Sequence, residues 1–213
     1  QRDHVLAGAR GGPEQALDCI ALVVLPPVII GIALFFAFLF TQGITWARFF
    51  RISFFFPQVM SVVVVAVIWS FVYHPTIGLL NAFLTSIGFS QFQNFPWLGD
   101  RGTVFGAVLA MVVWQSVGFY MVLFVAGMQG IPPEYYEAAE IDGATSWVKF
   151  WSVTVPLLWD VIVIGLVLWS IYAVKIFEFP FSFTGLEPNP NSYTVAVYSY
   201  ILGFGQRQPI YRL

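Results

Sequence analysis

The chain has 213 residues, 59% hydrophobic and 9% charged, with a formal net charge of -2 and a mean hydropathy of +0.80. A soluble domain is about a quarter charged, so this composition excludes an ordinary water-soluble globule and predicts an all-α polytopic membrane protein. The charge balance argues against a nucleic-acid partner; the one cysteine, Cys19, allows no internal disulfide, and His4 and His74 are too few and too scattered for a metal cluster.

In chain order, residues 1–19 form a polar head, "QRDHVLAGARGGPEQ" and on, that reads as a fragment end, neither signal peptide nor span. A spanning helix takes about 20 apolar residues, and the run from about Ile20 to Phe40 supplies them, with Pro26-Pro27 predicting a kink. A short connector, Thr41 to Ser53, carries Arg48 and Arg51. The second span runs from about Phe54 to Tyr73 around "VVVVAVIW". A longer loop, His74 to Gly102, has turn signals at His74-Pro75, Ile87-Gly88 and Gly99-Asp100. The third span covers about Thr103 to Met128. After the connecting segment at 132–152, the fourth covers about Val153 to Val174. Beyond Lys175 come a Pro/Gly/Asn-rich loop, a short aromatic helix from Thr194 to Phe204, and a tail, "QPIYRL", without a closing helix. Trp46, Trp97, Trp147 and Tyr73 fall near span ends, where interfacial aromatics belong. No Gly-Lys-Ser/Thr phosphate loop occurs, because neither Lys149 nor Lys175 follows a glycine. If ATP drives this protein, another chain hydrolyses it.

The segment "PPEYYEAAEIDGATSW" concentrates Glu134, Glu137, Glu140 and Asp142, out of eleven acids in the chain, between two runs that carry no charge. Pro132 and Pro133 suit a helix start, where the missing N–H costs nothing. Glu134 and Glu137 fall in the first turns, where the helix dipole favours carboxylates by about 0.3–1 kcal/mol each. Glu134, Glu137 and Glu140 are three apart and share a side, and Ala138 and Ala139 keep the adjacent surface thin. Gly143 is a natural C-cap. Thr145 or Ser146 can cap a second helix carrying Trp147, Phe150 and Trp151. Physics leaves two readings open: a well-capped acidic hairpin with no partner, or a thin-faced helix that docks in a groove of another protein.

Glu137-Ala138-Ala139, three residues, Gly143, nine residues, then Val153-Thr154-Val155-Pro156 resembles the EAA signature of ABC-importer permeases, with valines for its Ile and Leu. The flanks, "GMQGIPPEYYEAAEIDGAT", Arg51 with Pro57, "GLLNAFLTSIG" and Thr184-Gly185, are similar to the carbohydrate-uptake branch and its maltose-type permease; the likeness runs from about Ile32 to the end. The resemblance implies a type I ABC-importer transmembrane domain over residues 20–213. Its coupling helix would lie on the cytoplasmic side, seated in a cleft of a partner ATPase. Glu137 would anchor it beside Ala138, Ala139 and Asp142, Gly143 would let it turn, and Pro156 would mark the return to the membrane. The implied partners are a second permease in a heterodimer, two ATPase subunits holding ATP and magnesium, and an extracytoplasmic solute-binding protein, in a bacterial or archaeal cytoplasmic membrane. No cofactor, metal or catalytic residue is expected in this chain.

The same resemblance places Gln115, Ser116 and Phe119 from the third span, and Trp169, Tyr172, Ala173 and Ile176 from the fourth, along a solute cavity. Aromatics are retained at Phe119 and Tyr172, where ordinary helix packing is the alternative. Ala173 and Ile176 stand where the maltose-type protein has amides, which argues against maltose. With the EAA segment cytoplasmic, Arg48 and Arg51 obey the positive-inside rule against Arg101 outside, although Arg207 and Arg212 would also lie outside. Asp160 is expected at a helix end facing water, and Lys175 with Glu178 as an interfacial ion pair. Gly102, Gly106 and Ala110 form a small-residue ridge of the kind that makes helix seams. A secondary transporter driven by an ion gradient would need paired acids in the spans and two similar halves; an intramembrane enzyme would need a nucleophile–base or metal constellation. Neither pattern is present. A polyol, glycerophosphodiester or amino-acid importer stays open beside a carbohydrate importer.

Overall fold

A computed structural model describes residues 20–42, 46–100 and 102–174. The helices are α1 (Leu25–Thr41, after a π turn at Ile20–Val24), α2 (Ala47–Val59), α3 (Val62–Val72), α4 (Leu79–Ser86), α5 (Val104–Gln129), α6 (Pro133–Ile141), α7 (Ser146–Lys149), α8 (Val155–Leu157) and α9 (Trp159–Val174). The architecture is all-helical among the described residues, as expected. Lys175, Ile176, Glu178, Thr184-Gly185 and the stretch Thr194–Phe204 for which a helix is expected, with Cys19, Arg101, Arg207 and Arg212, lie outside them.

Among the described residues Leu22–Thr41 and Gly106–Gln129 are long and apolar enough to cross a membrane as single helices, and the number rises to four if each of two bent helix pairs is one span. At 1.5 Å per residue, α5 is about 39 Å long. Pro26 and Pro27 lie in the first turn of α1, directly after the π turn Ile20–Val24, where the helix changes its winding. The expected spans are corrected at two points. The expected second span is two helices, because Pro57 lies inside α2 and Ser61, extended at φ -60° and ψ 139°, opens α3. Arg48 and Arg51 accordingly sit on a helix, not in a loose connector. The expected fourth span bends by 68° between Leu157 and Trp159, after Pro156, whose ring leaves one helical hydrogen bond unmade.

The chain divides into two units. In the unit holding residues 60–112, the loop after α3 is organised by one buried amide. Asn81 accepts from Trp97 Nε1 at 2.6 Å and donates to the carbonyls of Pro75 and Phe95 at 2.9 and 3.0 Å. Trp97 stacks on Phe92 with centroids 5.2 Å apart. Asp100 Oδ2 takes the N–H groups of Gly102 and Thr103, both at 3.1 Å, which caps the entry to α5. Tyr73 is buried and donates to the Ala107 carbonyl at 3.0 Å. Tyr73 and the half-buried Trp97 thus brace this loop from within, whereas Trp46 and Trp147 are 68% and 53% exposed.

The other unit holds residues 25–59 and 113–171. Ile29, Ala33, Ala37 and Phe40 are buried along α1. Phe36 and Phe40 meet Phe54 of α2 at 4.7 and 5.9 Å, and Phe40 stacks on Phe50 at 5.7 Å. Between helices in lipid there is no hydrophobic drive, so close packing and small residues must hold the seams. The observed seams use Gly118, Gly127 and Gly165. A side chain on Gly118 would strike the Phe54 carbonyl, one on Gly127 would press on Val161 and Leu158, and one on Gly165 would touch Phe124 and Tyr120. Among the described residues nothing packs on the ridge expected at Gly102, Gly106 and Ala110: Gly102 precedes the helix, a Cβ on Gly106 would meet nothing within 4 Å, and both Gly106 and Ala110 are exposed. Spacing alone cannot say which small-residue row a neighbour covers.

Candidate functional site

The acidic segment forms the hairpin expected of it, with prolines at its start and capping bonds at its turn. Pro132 precedes the first turn and Pro133 begins α6, with Glu134 in that turn. The C-terminus closes on Gly143 at φ +76°. Gly143 N–H reaches the Glu140 carbonyl at 3.0 Å and Ala144 N–H the Ala139 carbonyl at 2.9 Å, the paired bonds of a Schellman ending. The Thr145 hydroxyl then accepts from Val148 N at 3.4 Å and opens α7. A π turn, Phe150–Thr154, joins α7 to α8 and Pro156.

The sides of α6 are not equivalent. Tyr136 and Ala139 are half-buried toward the return segment, and the exposed Glu140 reaches across to it. Tyr136 Oη lies 3.1 Å from Thr154 Oγ1. Lys149 Nζ donates to Glu140 Oε1 at 2.6 Å across the turn. Glu134, Glu137, Ala138 and Ile141, at the i, i+3, i+4 and i+7 positions of one stripe, are all exposed, Ile141 by 87%. Glu140 is exposed like Glu134 and Glu137, in keeping with the shared side expected of them; three-residue steps lose about 60° each at 3.6 residues per turn, so Glu140 stands at the edge of the row, where Lys149 meets it. Asp142, the C-cap residue, donates its N–H to the Ala138 carbonyl at 3.2 Å and is exposed. Pro156 is exposed at the start of α8.

Behind α6 lies a cavity of about 390 Å³ whose walls include Arg51, Gln42, Tyr136, Glu140, Lys149 and Thr154. Arg51 Nη2 donates to the Phe40 carbonyl at 2.6 Å, which ties α2 to the end of α1. Sequence spacing gave no hint of this chamber or of the Lys149–Glu140 pair, because both join residues across turns.

The expected solute-cavity residues are placed as follows. Gln115 and Ser116 are buried on α5, and Phe119 beside them is half-buried, edge-on to Tyr120 at 5.2 Å. Gln115 Nε2 donates to the Pro57 carbonyl at 3.4 Å, a group left free because α2 ends two residues later. Its Oε1 is buried without a partner among the described residues. Trp169 is buried, edge-on to Tyr120 at 6.2 Å. Tyr172 is 36% exposed and Ala173 buried; both belong to the other unit. Asp160 stands exposed in the first turn of α9, the helix end expected for it. Among the described residues no group of three or more His, Cys, Asp or Glu could hold a metal ion.

Comparison with known proteins gives a consistent result. The chain is 42% identical over 138 residues to the diacetylchitobiose uptake system permease protein NgcF of Streptomyces coelicolor, which covers 65% of this chain and 39% of that protein. It is 32% identical over 174 residues to the xylose/arabinose import permease protein XacH of Haloferax volcanii, covering 82% and 54%. The chain thus spans about half the length, or less, of these curated relatives. A crystal structure of a bacterial alginate ABC transporter in complex with an alginate pentasaccharide-bound periplasmic protein shares the fold, with a TM-score of 0.77 at 22% identity over 96% of this chain and 72% of that one. The family model described as "Binding-protein-dependent transport system inner membrane component" matches residues 19–188, and the chain belongs to that family.

Proposed function

We propose that this chain is the transmembrane permease subunit of a binding-protein-dependent ABC importer that moves a carbohydrate or a related small solute, such as a polyol, across a bacterial or archaeal cytoplasmic membrane. The observation that carries the reading is the two-sided α6: pinned inward by Tyr136 and Glu140, with Glu134, Glu137, Ala138 and Ile141 left exposed. A helix held on one side and bare on the other suits a rod that transmits force between two bodies.

In this reading the bare stripe seats in the cleft of a partner ATPase, with Glu137 as its anchoring acid. ATP and magnesium are bound and used in that partner. Closure of two ATPase subunits would move the rod, and the internal bonds would pass the motion through Thr154 and Lys149 to α8 and α9. A second permease would complete the pathway, and an extracytoplasmic binding protein would deliver the solute. Gln115, Ser116, Phe119, Trp169, Tyr172, Ala173 and Ile176 are the proposed solute-facing set. The sugar-uptake names of the relatives support the substrate class.

The test is substrate-stimulated ATPase activity of the assembled transporter in vesicles. Glu137→Lys should abolish stimulation while the subunits still copurify. Uptake that persists without ATP on an ion gradient would overturn the reading.

A further inference from the structure

We infer that the cavity behind α6 is a binding site for a phosphoryl anion, and that Arg51 is its principal ligand. Three observations on one unit converge. First, the cavity walls hold two cations, Arg51 and Lys149, against one acid, Glu140. Second, that acid is already taken: Lys149 Nζ holds Glu140 Oε1 at 2.6 Å. Third, Arg51 is half-buried and makes no ion pair among the described residues; it spends Nη2 on the Phe40 carbonyl, and its Nε is buried without an acceptor. A guanidinium withdrawn from water without a counter-charge is costly. An anion in the adjoining space removes that cost, and a phosphoryl group matches the guanidinium fork better than other common anions.

The volume of about 390 Å³ accommodates more than a bare ion. Gln42, Ser146 and Thr41 add neutral polar groups to the wall. Trp147 and Trp151, which follow the cavity residue Ser146, are 53% and 56% exposed, as aromatics at the headgroup level are. Basic pockets at that level on the cytoplasmic face hold anionic lipid headgroups. The phosphoryl group therefore comes from an anionic phospholipid or from a small soluble phosphate. Bound there, it shares its wall with Tyr136 and Glu140, so occupancy stiffens the inner seat of α6. The cytoplasmic placement rests on the proposed function; the binding measurement below uses no ATP and no solute, so the two fail independently.

The experiment uses the whole importer, purified in detergent. Native mass spectrometry counts retained lipid after exchange into phosphatidylglycerol or phosphatidylcholine, and thermal unfolding is followed with and without inorganic phosphate. The expected result is selective retention of phosphatidylglycerol, weakened about tenfold by Arg51→Gln, the scale of losing one charge-assisted bond. Arg48→Gln, which removes the same charge from an exposed position of the same helix, should leave retention unchanged. Lys149→Gln gives a second reading if Arg51→Gln does not assemble. Stabilisation by inorganic phosphate without lipid selectivity, lost in Arg51→Gln, would support the site with a soluble ligand. Equal retention of both lipids with no phosphate effect, or equal losses in Arg51→Gln and Arg48→Gln, would overturn the inference.

Discussion

Replacing Gly143 separates backbone handedness from space as the reason for the turn after α6. Its φ is +76°, and a Cβ placed there meets nothing within 4 Å among the described residues. Steric crowding therefore predicts no cost for a small side chain, whereas left-handed backbone costs a non-glycine residue about 1–2 kcal/mol. That amount shifts a local equilibrium about 5- to 30-fold against the seated position of α6. Asparagine visits the left-handed region more readily; β-branched valine resists it most. The expected order of substrate-stimulated ATPase activity in the reconstituted transporter is Gly, then Asn, then Ala, with Gly143→Val lowest. Basal ATPase activity and subunit stoichiometry should hold across the series. Equal activity of Gly143→Val and the parent would refute the argument, and so would Asn falling below Ala.

At Gly118 the opposite logic applies, because a side chain there would strike the Phe54 carbonyl and approach Phe55 Cα to 3.0 Å. Gly118→Ala should destabilise the fold by about 1–3 kcal/mol, typical of overpacking, and so lower the unfolding temperature, while Gly106→Ala should be neutral or stabilising; the reverse order in a thermal-aggregation assay would place the seam elsewhere. The Glu140–Lys149 pair is exposed at Glu140, 63% against 18% at Lys149, so a double-mutant cycle should return only about 0.2–1 kcal/mol and should shrink in high salt. Phe119→Ala should impair uptake of the true solute with assembly intact; unchanged uptake would return Phe119 to ordinary packing.

Much of the hairpin was legible because its signals are local. The proline pair, Gly143 and Thr145 each specify a corner through their own backbone chemistry, and all three stand where the sequence placed them. The spans were legible as apolar runs but not as shapes. Helices that are apolar on every side carry no periodic signal to mark a break, so the interruption at Met60-Ser61 passed as one continuous span. Pro57 and Pro156 were the available warnings, each lying just before a bend. Contacts across long separations were not legible at all. Asn81 with Trp97, Gln115 with Pro57 and Lys149 with Glu140 each unite residues whose spacing carries no repeat. The acidic row itself was legible, but not that its last member, Glu140, three residues past Glu137, is held by Lys149.

Cysteine crosslinking around α6, in a Cys19→Ser background, tests the docking claim most directly. With a short bifunctional reagent, cysteines at Glu137, Ala138 and Ile141 should join this chain to an ATP-hydrolysing subunit, whereas cysteines at Tyr136 and Ala139 should not. Crosslinks from the inner positions instead, or none from the bare stripe in an assembled and active transporter, would contradict the account.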